Sequence, residues 1–168
     1  MSLTYDMFTT TPESSMPRPS DFSVSEQGVI EQALGILKRR LLEGEAFTAP
    51  QAVKDFCQLQ IANELDEHFC VLYLNSQHRL IAFERLFRGT VDAASVYPRV
   101  VVRRALELNA AAVILTHNHP SGETEPSTAD LRITERLKTA LDVVDVRVLD
   151  HVIVGVGGAT SFAELGKL

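Results

Sequence analysis

The chain contains no tryptophan and only two cysteines among its 168 residues. Two thiols, Cys57 and Cys70, cannot form a disulfide framework, and neither belongs to a paired cysteine motif. The sequence therefore excludes a small disulfide-stapled secreted domain and favours a reducing, cytoplasmic location. A composition that is 45% apolar and 23% charged is typical of a globular domain with a core of its own.

Positive charge is also scarce, because 16 Lys and Arg residues are set against 22 Asp and Glu residues and the net charge is -6. Tight, nonspecific DNA binding needs an excess of cations and is not expected. No apolar run approaches the length of a membrane span, and residues 1–22 have neither the basic start nor the apolar stretch of a signal peptide. We therefore expect neither export nor a membrane partner.

Three segments follow from the patterns along the chain. Residues 1–22 are rich in Ser, Thr and Pro and have no apolar period, which predicts a disordered tail. Residues 23–64 carry two amphipathic patterns, each opened by a capping box, and these predict an N-terminal helical extension made of a helix pair. Residues 65–168 are predicted to form the main domain.

Strand and helix patterns alternate along this main domain. The predicted strands cover residues 69–74, 80–83, 111–116 and, as one or two strands, 146–155, whereas helices are predicted over residues 101–109 and 127–143. A closing turn of helix is expected over residues 161–168. The succession of strands and helices predicts an α/β (mixed α+β) fold.

The most informative segment is Thr116-His117-Asn118-His119-Pro120, which ends a predicted buried strand. Side chains at positions i and i+2 of a strand point the same way, so the two imidazoles face one point in space. Asp130, in the first turn of the next predicted helix, can supply a third ligand and leave a fourth position for water. His117, His119 and Asp130 therefore predict a catalytic zinc site, although Ser127 to Asp130 also reads as a plain capping box.

A hydrolytic site also needs a base that takes a proton from the attacking water, and carboxylates do this work. The upstream acids are Glu64, Glu67 and Glu84. Glu67 immediately precedes the first predicted strand, whereas Glu84 ends the second, and the pattern leaves the choice between them open. Each is equally typical of an exposed acid with no catalytic role.

These motifs resemble a known family. His117-X-His119-Pro120 followed by Ser127-X-X-Asp130 resembles the zinc signature of the JAMM (JAB1/MPN) metalloproteases. More narrowly, HNHPSG and PSTAD, preceded by FRGTVDAASVYPR and followed by LDHVIVG, resemble the RadC-like JAB-domain proteins of UPF0758 type. The resemblance implies an MPN/JAB-like mixed β-sheet flanked by helices, similar in outline to the cytidine deaminases.

The resemblance also implies roles for individual residues. His117, His119 and Asp130 would bind Zn2+, Glu67 would be the catalytic acid-base, and Ser127 would help to hold the oxyanion or the water. The implied activity is a zinc-dependent metallohydrolase that cleaves an amide bond of a peptide, an isopeptide or a protein substrate. The alternative is a non-catalytic zinc-binding interaction module associated with DNA repair.

The sequence departs from this family pattern in two places. Longer relatives have a helix-hairpin-helix domain associated with DNA binding, where this chain has only the short helix pair. Tyr97-Pro98-Arg99-Val100 replaces the usual His-Pro-Arg-Glu, so no role of that His or Glu is transferred. Arginines are frequent over residues 85–104, and we expect them to form a solvated face with a few ion pairs rather than an anion site.

Overall fold

The computed structural model describes residues 23–43, 50–89 and 96–168. The helices are α1 (Val24–Glu43), α2 (Pro50–Ile61), α3 (Pro98–Glu107) and α4 (Thr128–Asp142). The strands are β1 (His68–Leu74), β2 (Leu80–Arg88), β3 (Ala112–Asn118), β4 (Arg147–Gly155) and β5 (Gly158–Ser161). The predicted disordered tail, residues 1–22, lies outside the described residues.

The five strands form one mixed sheet in the order β2-β1-β3-β4-β5. The pair β3 and β4 is parallel and is joined through α4, whereas the other neighbours pair antiparallel. A parallel pair needs such a crossover, because the chain must return to the end of the sheet where it started. The mixed sheet flanked by helices is the architecture that the resemblance implied, and it is confirmed.

Both faces of the sheet are buried, each against different helices. In β1, alternate side chains serve opposite faces, as the twofold period of a strand requires. Cys70 and Leu72 pack in the core under α2, whereas Val71 and Tyr73 pack in the core under α3 and α4. The sheet is therefore the middle of three layers, and β3 runs through it with every residue buried.

The predicted N-terminal helices both form. The apolar side of α2 is inserted into the first core through Val53, Phe56 and Ile61, all of which are buried. Both cysteines are free and buried in this same core, as expected from their apolar surroundings. The division of the chain at residue 65 stays a prediction, although α2 shares a core with the sheet.

One predicted strand differs in length from the structure, and the structure settles two further predictions. β2 runs five residues beyond the predicted end at Phe83, because its charged outer residues lie at the sheet edge and find ionic partners. β4 is one uninterrupted strand, which is one of the two predicted alternatives, and its polar Asp150 accepts from the Ser161 hydroxyl at 2.5 Å and from the Ala163 amide at 3.0 Å. The closing segment contains hydrogen-bonded turns, and the bond from the Leu165 amide to the Ser161 carbonyl oxygen at 3.2 Å closes a single helical turn, as expected.

None of the helices in the described ranges combines the length and the apolar character that crossing a lipid bilayer requires.

Candidate metal centre

Three polar side chains meet where β3 ends and α4 begins. His117 is the next-to-last residue of β3, and His119 follows the strand directly. Asp130 lies in the first turn of α4, which the connecting loop returns to the same end of the sheet. The structure thus brings together all three residues that the sequence proposed as ligands.

The contact atoms lie close together. The two Nε2 atoms of His117 and His119 are 2.9 Å apart. Asp130 places Oδ1 at 3.1 Å from Nε2 of His117, and Oδ2 at 3.6 Å from Nε2 of His119. His117 and Asp130 are buried, whereas His119 is partly exposed, so the cluster is reached from solvent on the His119 side.

The hydrogen bond made by Nδ1 of His119 indicates whether this cluster suits a cation. Its Nδ1 lies 2.8 Å from the carbonyl oxygen of Glu123. A carbonyl oxygen only accepts, so Nδ1 carries the ring proton and the Nε2 of a neutral His119 is a bare lone pair. This lone pair faces a carboxylate and a second imidazole, which are also electron-pair donors. The His117, His119 and Asp130 cluster can therefore hold a metal ion.

Electrostatics keep the carboxylate of Asp130 ionised. Burial by itself would raise the pKa of Asp130, but its contacts with the imidazoles of His117 and His119 outweigh burial and hold the pKa well below its usual range. The same contact with Asp130 raises the pKa of His119, against the opposing effect of burial. Asp130 is thus an anion at neutral pH, which is the form that binds metals.

Asp130 is also the N3 residue of the capping box that begins at Ser127, as the sequence indicated. The Ser127 hydroxyl accepts from the Asp130 amide at 3.2 Å, and the Ser127 amide donates to Oδ2 of Asp130 at 2.8 Å. The Ser127 hydroxyl donates to the same Oδ2 at 2.6 Å. The cap therefore fixes one carboxylate oxygen and leaves Oδ1 directed at His117.

Asn118 ties the strand between the two histidines to the segment that carries Glu67. Its Oδ1 accepts from the His68 amide at 2.8 Å, and its Nδ2 donates to the carbonyl oxygens of Glu64 and Asp66 at 3.3 and 3.0 Å. The side chain is fully buried, so these bonds are shielded from water. The middle residue of the His-Asn-His motif thereby holds residues 64–68 beside β3.

The strand register places Glu67 next to the cluster. Phe69 of β1 is opposite His117 of β3, and continuing this antiparallel register by two residues sets Glu67 opposite His119. Directly opposite residues of an antiparallel pair project from the same face of the sheet. The charge of Glu67 contributes accordingly to the raised pKa of His119.

The other two candidate carboxylates are held elsewhere. Glu84 lies opposite Val71, further along β1 and on the far side of it from β3, and Arg104 binds both its oxygens at 2.6 to 2.9 Å. Glu64 pairs with Arg85 at 2.6 Å. Of the three acids that the sequence left open, the structure brings Glu67 to the cluster.

Asp150 and His151 are neighbours in β4, so their side chains face opposite sides of the sheet. Asp150 binds Ser161 and Ala163 on the side away from the cluster. His151 faces the cluster, and its Nε2 lies 2.9 Å from Nδ1 of His117. Burial lowers the pKa of His151 well below its ordinary value. The parallel pairing of β3 and β4 creates this contact between His117 and His151. No sequence motif near either residue predicts it.

The arginines of residues 85–104 form mostly ion pairs, as expected from the sequence. Arg88 binds Asp66, and Arg103 lies 3.7 Å from Glu107 on the next turn of α3. Arg85 and Arg104 are bound as described above, and Arg99 lies over the ring of Tyr97. These contacts neutralise most of the local positive charge.

Comparison with known proteins agrees with this architecture. Residues 47–167 match the family described as the RadC-like JAB domain. The chain belongs to this family. The mixed sheet with flanking helices is accordingly the predicted JAB/MPN-like fold, and the matched region of this RadC-like domain includes α2 as well as the sheet.

Curated relatives of this RadC-like domain are named UPF0758 proteins. One from Methylibium petroleiphilum is 60% identical over 140 residues, which cover 83% of this chain and 63% of the relative. Two from Vibrio cholerae are 56% and 51% identical over 143 and 156 residues. Those matches cover 85% and 90% of this chain, and 90% and 99% of the two relatives. The chain thus spans less than two thirds of the Methylibium relative and nearly all of one Vibrio relative.

Proposed function

We propose that this RadC-like domain is a zinc-dependent hydrolase of JAMM type that cleaves an amide bond in a peptide, an isopeptide or a protein. The observation that carries the proposal is the convergence of three electron-pair donors at separations of 2.9, 3.1 and 3.6 Å. Ligand atoms about 2.0 to 2.2 Å from a tetrahedral zinc are about 3.3 Å apart, so the three separations suit this ion. Three protein ligands leave one position open, as in catalytic sites.

Zinc bound at this cluster would lower the pKa of water and polarise the carbonyl of the substrate. The residues of the chain supply the remaining steps. His119 lies on the partly exposed side, so a substrate reaches the cluster past this residue and the following loop. On the opposite side, the buried residues His117 and Asp130 keep bulk water from reaching the cluster.

Glu67 is the proposed general base and acid. Its charge acts on His119, which lies at the open side of the cluster, and we assign to it the removal of a proton from the attacking water. It then delivers that proton to the leaving nitrogen as the amide bond breaks. Asn118 supports this role, since it fixes both neighbours of Glu67 through the backbone of Asp66 and His68.

Ser127 is the proposed donor to the oxygen that gains negative charge on the substrate carbonyl. In the structure its hydroxyl donates to Oδ2 of Asp130 at 2.6 Å. Donation to the substrate requires the hydroxyl to turn away from Asp130. The Ser127 amide remains on the same Oδ2 at 2.8 Å, so the carboxylate keeps its orientation during that change.

The proposed partner is a peptide or protein substrate in the cytoplasm. Tight DNA binding is not part of the proposal, because the net charge is -6 and most arginines of residues 85–104 are paired with acids.

Metal analysis and a cleavage screen test the proposal together. Purified protein is expected to hold about one zinc per chain, and a library of peptide and isopeptide substrates should be cleaved only by the zinc-loaded form. His119→Ala should lose both the zinc and the turnover. The matched control is His78→Asn, in the β1–β2 turn, where the φ of 59° suits asparagine.

Two results would count against the proposal in different ways. Unchanged zinc content in His119→Ala would remove the metal assignment. Tight zinc binding without cleavage of any member of the library would instead support the non-catalytic interaction module associated with DNA repair.

A further inference from the structure

His151 lies in the middle of β4 on the face of the sheet that carries the metal cluster. Its side chain is fully buried. The ring packs between Phe69 and Phe162, with ring centres 5.6 and 4.8 Å away. Two polar atoms meet its nitrogens in this apolar cage. Nδ1 of His117 lies 2.9 Å from Nε2, and Oγ1 of Thr134 lies 2.6 Å from Nδ1.

The hydroxyl of Thr134 sets the direction of these hydrogen bonds. It has a single hydrogen, which it donates to the carbonyl oxygen of Asp130 at 2.5 Å. Towards His151 the hydroxyl therefore accepts, so Nδ1 of His151 carries a proton. The apolar cage disfavours a charged imidazolium, and the second nitrogen of a neutral ring is a lone pair.

The tautomer of His151 in turn fixes the donor and the acceptor of its hydrogen bond with His117. Nε2 of His151 is the acceptor, so Nδ1 of His117 must be the donor. A neutral His117 with its proton on Nδ1 has a bare lone pair on Nε2. That atom is the one that lies 2.9 Å from His119 and 3.1 Å from Asp130.

We propose that His151 and Thr134 are positioning residues that hold the proton of His117 on Nδ1 and thereby present Nε2 as a metal ligand. This inference rests on the metal site of the proposed function. The hydrogen-bonded chain starts at the backbone of Asp130 in α4 and ends at His117 in β3, so it also links two of the three ligands across separate elements. Outer partners of this kind fix both the tautomer and the ring orientation of a metal-binding histidine.

Paired substitutions separate this role from simple packing. His151→Phe fills the cage but removes the acceptor, whereas His151→Gln places a carbonyl oxygen near the former Nε2. Thr134→Val removes the hydroxyl at nearly constant volume, and Thr134→Ser retains it. Thermal unfolding identifies which variants are folded, and the Thr134 pair provides the comparison if His151→Phe is not.

Zinc affinity is measured by competition with a chelator, and the protonated nitrogen of His117 is identified by nitrogen NMR of the zinc-loaded protein. We expect His151→Phe to bind zinc about 10- to 100-fold more weakly, with partial recovery in His151→Gln. Thr134→Val should bind zinc more weakly than Thr134→Ser. In the wild type, Nδ1 of His117 should carry the proton.

The outcomes distinguish the two proposals. If the wild type binds zinc and the folded variants without acceptor or hydroxyl bind it equally well, only the positioning role is overturned. A zinc-loaded wild type whose His117 lacks the Nδ1 proton also overturns it. If the wild type binds no zinc, the proposed function fails, and the positioning role fails with it.

Discussion

Gly155 lies so close to Gly122 that a β-carbon at position 155 would collide with the carbonyl oxygen of Gly122. Gly155 ends β4, and Gly122 belongs to the loop that follows His119. The amide of His119 donates to the carbonyl oxygen of Val154 at 2.8 Å, so the loop rests directly on the end of β4. The missing side chain at Gly155 lets the loop bring the Glu123 carbonyl oxygen to His119.

Gly155→Ala is expected to displace this loop. The new methyl group meets backbone that has no free space, which costs about 1 to 3 kcal/mol and lowers the melting temperature. Zinc affinity should fall as well, because the Glu123 carbonyl oxygen no longer orients His119. The control is Gly157→Ala in the neighbouring turn, where a β-carbon meets nothing within 4 Å. Equal melting temperatures and affinities for the two variants would contradict the tight contact.

Glu67→Gln should retain zinc and lose turnover. Loss of a general acid-base group lowers kcat by about 100- to 10,000-fold, whereas the amide preserves size and leaves the ligands unchanged. Glu84→Gln is the matched control, with the carboxylate paired to Arg104. It should keep full kcat. An inactive Glu84→Gln beside an active Glu67→Gln would transfer the role to Glu84.

Asn118→Ala should loosen the segment that carries Glu67. The substitution leaves the His68 amide and two backbone carbonyl oxygens without their buried partner, which costs about 2 to 3 kcal/mol in the free energy of unfolding. Hydrogen exchange should increase at residues 64–68. Asn75→Ala is the control, because Asn75 binds the Gln77 and Arg79 amides in an exposed turn. If both variants lose equal stability and exchange is unchanged at residues 64–68, the proposed restraint is wrong.

The two cysteines should be unreactive in the folded protein. Burial raises the pKa of Cys57 and of Cys70 from 9.0 to about 12, so neither carries appreciable thiolate at about pH 8. A thiol reagent should label both only after unfolding, and rapid labelling of the native protein would contradict the burial.

The same shifts predict a pH dependence of stability. Above about pH 9 the unfolded chain loses its thiol protons while the folded protein keeps them, so the free energy of unfolding decreases as pH rises towards about 12. The double variant Cys57→Ala, Cys70→Ala should show a smaller decrease over this range. An equal decrease would assign the effect to other groups.

Local patterns were sufficient for several parts of the candidate site. The i, i+2 spacing of His117 and His119 and the capping box at Asp130 are both short-range signals. They required only that a strand end and a helix start be recognised. Local patterns were not sufficient to select Glu67 over Glu84, because that choice depends on which strand lies next to β3.

His151 and Asn118 show where local patterns end. The residues next to His151 and Asn118 in the sequence do not indicate which atoms their side chains bind. Their contacts join residues 34 and 50 or more positions apart in the chain, and pairings at such distances follow from the strand order rather than from neighbouring residues.

The amino-acid sequence by itself determined the succession of strands and helices, the three metal-binding candidates and the start of α4, because each depends on periodicity or on short spacings along the chain. Only the tertiary structure decided which carboxylate acts on this cluster and which histidine lies against Nδ1 of His117. The physical reason is that hydrogen bonds between strands depend on register, and register is settled when the two cores of the sheet pack together.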